Sequence, residues 1–203
     1  GALFYADEFF EESIKCFKKA IEIDPKLADI YNNLGNAFKD IKLFEEAMKS
    51  YETAIELEPN SAEIHNNFGS LLSENLSRHD DAIISFKKAI SLDLYFYPAH
   101  LNLGHTFVAL NQYESAVEAY KSSMTIKPDL GNILGNLLNA KMNCCNWEKY
   151  NSLLNIKNIK KEILDGKKVI APFFLLSLID DPALQRKAIE TNIYSFHPKN
   201  NDL

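Results

Sequence analysis

Residues 28–61 carry the clearest pattern in the chain: from Ala28 to Ser61 they read ADIYNNLGNAFKDIKLFEEAMKSYETAIELEPNS. Apolar residues recur at helical spacing in both halves, which predicts two amphipathic helices, over 28–40 and over 44–58. Small residues, such as Gly35, stand where the two helices would touch. Pro59 ends the second helix because proline cannot continue one. Neither helix can bury its apolar face alone, so the unit predicts copies of itself alongside.

The pattern does recur, with glycines at Gly69 and Gly104 in the place of Gly35. In its period, small residues and aromatics the sequence resembles the tetratricopeptide repeat family. The resemblance implies an all-α, right-handed superhelix of helix pairs, closed by a C-terminal helical cap. The predicted units are a partial repeat (1–27), a repeat (28–61), a repeat with one extra residue near 75–79 (62–96), a repeat (97–130), a divergent repeat (131–166) and capping helices (167–203).

Composition narrows the range of partners. The formal net charge is −6, which argues against a nucleic acid or an anionic membrane as partner. Three cysteines lack the spacing of a metal site or a disulfide framework. The longest apolar run, 169–179, is too short to cross a bilayer. We therefore expect a cytoplasmic protein without metal or cofactor.

A column of asparagines is the candidate binding feature. The residue just before each Leu-Gly-like pair, which this fold turns into the concave groove, is Asn33, Asn67, Asn102 and, in the divergent repeat, Asn136. A carboxamide both donates and accepts, so such a row could bracket the main chain of an extended peptide. The alternative is that these amides bond to neighbouring helix ends, or were merely inherited by duplication.

Neighbouring positions agree with an uncharged groove. The other predicted peptide contacts are Asn32, Asn36 and Asn66, and two serines, Ser70 and Ser73, stand nearby. A groove that holds a peptide's terminal carboxylate would need bases, but Asp29 and Glu63 occupy those positions. The sequence therefore predicts sequence-tolerant peptide binding, without a carboxylate clamp.

Other polar residues favour structural roles. His65 and His100 replace Tyr31 at an aromatic packing position, and His79 is predicted in a turn. No Ser-His-Asp order, phosphate loop or zinc-protease spacing occurs. We therefore predict that this chain is not an enzyme.

Two stretches carry a closer resemblance. Residues 137–147 and 171–185 are similar to the region that joins the repeats to the catalytic domain in bacterial O-linked N-acetylglucosamine transferases of the SPINDLY-like type. The resemblance implies a substrate-recognition part whose groove asparagines bind protein, with the transferase domain expected after residue 203. Because residues 1–27 lack a helix-start signal, we also expect further repeats before them.

Three functions stay open at this point: the recognition part of a protein glycosyltransferase, a free-standing scaffold adaptor, and a module that self-associates, for example as a homodimer.

Overall fold

The computed structural model describes residues 2–128, 133–144, 161, 163–165 and 182–187, with side chains from residue 11 onward. Every regular element in these ranges is helical, which confirms the predicted all-α tetratricopeptide class. The helices are α1 (Ala2–Ile23), α2 (Ala28–Asp40), α3 (Phe44–Leu57), α4 (Ala62–Ser70), α5 (His79–Leu92), α6 (Tyr97–Ala109), α7 (Tyr113–Ile126) and α8 (Ile133–Asn143).

The chain divides into two compact units, residues 1–110 and residues 111–203. In the first unit, α2 pairs with α3 and α4 pairs with α5, while α2, α4 and α6 also touch one another in turn. In the second unit, α7 packs on α8. The first unit therefore brings three first helices side by side.

In the pairs α2–α3 and α4–α5, a glycine of the first helix meets an aromatic ring of the second. A Cβ added to Gly35 would lie 2.8 Å from the Tyr51 ring, and one added to Gly69 would lie 2.7 Å from the Phe86 ring. Alanines fill the remaining close positions: Ala47, Ala54, Ala82 and Ala89 are fully buried. The small residues thus stand where the helices touch, as the sequence predicted.

The turns inside the helix pairs share one unusual backbone conformation. Lys42, Ser77 and Asn111 each adopt a positive φ, of 64°, 54° and 57°. The left-handed region is unfavourable for residues with a Cβ, although asparagine tolerates it better. Each second helix begins two residues later. Residues other than glycine therefore occupy the left-handed position in all three turns.

The extra residue of the second repeat lies earlier than expected. The chain continues from α4 into a π-helical turn, Leu71–Asn75, where the Leu76 N–H donates to the Leu71 carbonyl over five residues at 3.3 Å. In the first repeat the matching bond, from Ile41 to Ala37, spans four residues. A helix can absorb one residue by widening a turn. His79 consequently opens α5 and does not lie in the turn predicted for it.

The first helix of the described chain is long: α1 is continuous from Ala2 to Ile23. The stretch contains no glycine or proline, so helix propagation prevails.

Most of the C-terminal prediction lies outside the described residues. This holds for the predicted short helix over 171–179 and for the residues around Trp147. In the described part of this region, residues 182–187 are helical, Ile163 and Leu184 are buried, and the Lys187 ammonium donates to the Leu164 carbonyl at 2.7 Å. The repeat and cap boundaries remain predictions.

Candidate functional site

Asparagine side chains link the three first helices of the first unit. The Asn67 amide nitrogen on α4 donates to the Asn32 amide oxygen on α2 at 3.1 Å. The Asn102 amide nitrogen on α6 donates to the Asn66 oxygen at 3.0 Å and to the Ser70 hydroxyl oxygen at 3.1 Å. Asn66 in turn donates to the Asn67 oxygen at 3.4 Å. We call these five residues the amide ladder.

The bonds of the ladder leave specific groups unused. A carboxamide has two N–H donors and two oxygen lone pairs. Asn102 uses both donors within the ladder, so its oxygen is what remains for another molecule. Asn67 uses one donor and one lone pair, so it keeps one of each. The two residues therefore offer different remaining groups: Asn102 can only accept, whereas Asn67 can do both.

Asn33 occupies the same register as Asn67 but has a different environment. Its side chain is exposed and makes none of the hydrogen bonds found in the described part of the chain. Asn32 and Asn66, by contrast, are buried, at 4% and 7% exposure. Of the predicted contacts on α2 and α4, Asn33 and Asn67 are thus the more accessible, while Asn32 and Asn66 connect helices.

Asn36 is held inside its own helix pair. Its amide oxygen accepts from the Tyr51 hydroxyl at 2.6 Å. Burial, and to a smaller extent the nearby Asp40 carboxylate, raises the pKa of the Tyr51 phenol above its usual value, so the hydroxyl stays protonated and donates. This bond engages one of the two lone pairs on the Asn36 oxygen.

Asn136 belongs to the second unit. It lies on α8, where it is partly buried and has a polar partner. Its neighbours Leu137 and Leu138 are fully buried, so α8 turns its leucines inward. The site in the first unit accordingly consists of the ladder and Asn33.

Hydroxyl groups extend the polar network beyond the asparagines. The Ser73 hydroxyl, in the π-helical turn, lies 3.0 Å from the Thr106 hydroxyl of α6. Thr106, which is only 1% exposed, donates to the Asn102 carbonyl at 2.9 Å. Sequence reasoning placed Ser73 near the groove but missed Thr106. A threonine four residues after a candidate asparagine was the available signal, since threonine often bonds back to that carbonyl.

The helices α4 and α6 each carry a histidine that contacts a carbonyl of the turn before the helix. The His65 Nε2 lies 3.0 Å from the Pro59 carbonyl oxygen, and the His100 Nε2 lies 3.2 Å from the Leu94 carbonyl oxygen. His65 is buried at 9% exposure. These contacts agree with the packing role predicted for both residues.

The face around the asparagines carries unneutralised negative charge. Asp29 and Asp40 on α2, and Glu63 and Glu74 on and after α4, are all exposed. The ion pairs found among the described residues are Arg78 with Asp81 and Lys121 with Glu118, so none involves these four carboxylates. The described residues also contain no group of three or more His, Cys, Asp or Glu side chains that could hold a metal ion.

Membrane insertion has no candidate in the described helices, none of which combines the length and the apolarity that crossing a bilayer demands.

Models of known protein families match this helical architecture. Models of the tetratricopeptide repeat match residues 28–61, 50–84 and 97–130, and a further repeat model of the same kind matches residues 1–41. Together the matches span more than half of the chain, so the chain belongs to the tetratricopeptide repeat family.

Solved structures share the fold. MamA superposes with a TM-score of 0.66 at 23% identity, over 78% of this chain and 88% of MamA. YrrB, described as a TPR protein with an unusual peptide-binding site, superposes with a TM-score of 0.60 at 17% identity, over 93% of this chain and 88% of YrrB.

One curated relative is the peroxisomal targeting signal receptor of Candida albicans, which is 39% identical over 126 residues. The match covers 62% of this chain but only 15% of the receptor. The chain thus matches only a small part of the receptor's length.

Proposed function

We propose that the side of the first unit formed by α2, α4 and α6 binds the main chain of an extended polypeptide. The observation that carries the proposal is the row of amides, in which Asn33, Asn67 and Asn102 keep unused hydrogen-bonding groups. The tetratricopeptide architecture supports it, because stacked helix pairs create extended binding surfaces. The names of the relatives, a targeting signal receptor and a protein with a peptide-binding site, point the same way.

In this proposal the asparagines have separate roles. Asn33, Asn67 and Asn102 contact the peptide. Asn32 and Asn66 are held between helices and orient Asn67 and Asn102. Each direct bond contributes about 0.5–1.5 kcal/mol, and ordering the peptide offsets part of that gain. Binding through amides alone is therefore weak, with dissociation constants approaching the millimolar range.

Asn36 and Asn136 contribute less directly. Asn36 also holds the Tyr51 hydroxyl, so its binding role is limited to the groups that this bond leaves unused. Asn136, the member of the row predicted in the divergent repeat, lies in the second unit, and its contact with a peptide stays a prediction.

Charge should select among peptides. Exposed carboxylates lie before and after the amide row along each helix, Asp29 and Asp40 on α2 and Glu63 and Glu74 on and after α4, and they repel acidic segments and a terminal carboxylate. Peptides with neutral or basic side chains are therefore the favoured occupants, and the preference should weaken at high salt.

The test follows the side-chain amide resonances of the isotope-labelled chain while an uncharged Ser/Thr/Ala decapeptide is added to millimolar concentration. The resonances of Asn33, Asn67 and Asn102 should shift. Asn33→Ala should weaken binding by about threefold or more, because one hydrogen bond is worth about 0.5–1.5 kcal/mol. It should leave the free energy of unfolding unchanged, since the Asn33 side chain makes no hydrogen bond in the described structure.

Asn60→Ala is the matched control, because Asn60 is also exposed but lies in the turn between α3 and α4. It should leave both binding and stability unchanged. If Asn33→Ala binds the decapeptide as well as the Asn60→Ala control does, the amide row is not the binding site.

The double variant Asn67→Ala/Asn102→Ala should weaken binding further, but it tests the proposal less cleanly. It also removes the ladder bonds to Asn32, Asn66 and Ser70, so it should lower the free energy of unfolding. Each lost bond costs about 0.5–1.5 kcal/mol.

A narrower proposal places this module in a protein O-glycosyltransferase. Its support is the resemblance of residues 137–147 and 171–185 to the linker region of that enzyme family. The gene sequence after residue 203 decides between this and a free-standing adaptor: a sugar-nucleotide-binding domain supports the transferase, and a stop codon excludes it. Light scattering over a range of concentrations tests the third function, self-association.

A further inference from the structure

The π-helical turn Leu71–Asn75 places Ser73 where it can join two helices. In the first repeat the residue at this position is Lys39, and the position of Thr106 corresponds to Leu71 in the second repeat. Lysine and a fully buried leucine cannot form this hydroxyl pair. The contact between Ser73 and Thr106 is therefore specific to the repeat with the extra residue.

The direction of the hydrogen bonds around Ser73 follows from the number of hydroxyl hydrogens available. Thr106 has one hydroxyl hydrogen, which goes to the Asn102 carbonyl. Ser73 must then donate its own hydrogen to Thr106, at 3.0 Å. The remaining neighbour of Ser73 is the His79 Nδ1 at 3.3 Å, which must donate because Ser73 has no second hydrogen. Hydrogen-bond donation therefore runs from His79 to Ser73, from Ser73 to Thr106, and from Thr106 to the main-chain carbonyl of Asn102. We call this series of hydrogen bonds the relay.

This relay ends on the residue that anchors the amide ladder to α6. The Asn102 side chain is bonded to Asn66 and Ser70, while its carbonyl receives the relay. Asn102 is thus held through its side chain and its main chain. The amide oxygen that is left over has a restricted direction as a result.

We propose that Ser73 is a positioning residue for Asn102, and that the extra residue of the second repeat serves to bring Ser73 against Thr106. Ser73 does not touch the peptide in this account; it fixes the direction of the Asn102 amide through Thr106. The inference rests on the proposed function for its effect on binding, but the relay itself can be tested without any peptide.

The first test observes the Asn102 side-chain amide resonances in the unliganded chain. Ser73→Ala should shift them, and Ser73→Thr should restore them because threonine keeps the hydroxyl. Ser85→Ala is the matched control, since Ser85 is likewise a partly buried serine whose hydroxyl donates to a carbonyl, that of Asp81 at 3.1 Å. The control should leave the Asn102 resonances in place.

The second test measures affinity for the uncharged Ser/Thr/Ala decapeptide. Ser73→Ala should weaken binding about threefold, the scale of one hydrogen bond, and Ser73→Thr should recover it. Ser85→Ala should bind as the natural chain does even if its melting temperature falls equally. Affinity that follows the melting temperature in all three variants would reduce Ser73 to a purely structural residue.

A third variant tests the extra residue. Deleting Asn75, which is exposed and whose side chain makes no hydrogen bond in the described structure, shortens the turn to the length found after α2. It should reproduce the resonance shift of Ser73→Ala. Unchanged Asn102 resonances in Ser73→Ala would overturn the relay, whereas intact decapeptide binding by Asn33→Ala would overturn the proposed function and leave the relay standing.

Discussion

The helix pairs α2–α3 and α4–α5 have nearly the same interior but different polar sides. Both place a glycine against an aromatic ring, at 2.8 Å for Gly35 and 2.7 Å for Gly69. In the first pair the ring is a tyrosine, and its hydroxyl donates to Asn36. In the second pair the ring belongs to Phe86, which has no hydroxyl to donate.

The loss of that hydroxyl changes what the facing residue does. Ser70 occupies the place of Asn36 and accepts instead from Asn102 of the next helix. Asn36 is thus held within its own pair, whereas Ser70, which faces a ring without a hydroxyl, joins two repeats. Duplication preserves the packing, while small changes at its edge determine how repeats connect.

The largest expected effect tests the shared interior. Gly35→Ala and Gly69→Ala should each lower the free energy of unfolding by about 1–3 kcal/mol, because the new methyl group meets a buried ring. Chemical denaturation of both variants measures this. Equal losses of stability in the two variants would support a common interior packing in the two helix pairs. A gain of about 1 kcal/mol, the usual result of Gly→Ala in a helix, would show that the rings can move aside.

A smaller effect should separate the two pairs. Tyr51→Phe removes the donor to Asn36 and should cost about 0.5–1.5 kcal/mol of stability. The reverse change, Phe86→Tyr, should bring no matching gain, because Ser70 is shorter than Asn36 and is already bonded to Asn102. Thermal denaturation of both variants measures the difference. An equal and opposite gain in Phe86→Tyr would contradict the distinction drawn between Asn36 and Ser70.

The smallest effect concerns the turns, where the two pairs are alike. Lys42→Gly and Ser77→Gly should each raise the free energy of unfolding by about 0.5 kcal/mol, since glycine tolerates positive φ but loses more entropy on folding. Ser91→Gly, within α5, is the control and should cost about 0.5–1 kcal/mol. If the turn variants lose as much as Ser91→Gly does, the left-handed backbone is not a source of strain.

Much of the fold could be read from the amino-acid order. The observed bounds of α2, Ala28–Asp40, coincide with the predicted range, and α3 ends one residue earlier than predicted. Helical periodicity and the positions of small residues are local properties, and burial enforces them wherever the repeat is intact. The register of Asn33, Asn67 and Asn102 was visible for the same reason.

The partner of each asparagine was decided by tertiary structure alone. Asn33 and Asn67 share one register, yet the first is exposed and the second donates across to Asn32. The sequence likewise did not show how the extra residue is accommodated, because a π-helical turn and a longer loop fit the same sequence equally well. Hydrogen bonds between repeats depend on how closely neighbouring helices approach, and the sequence of one helix does not determine that distance.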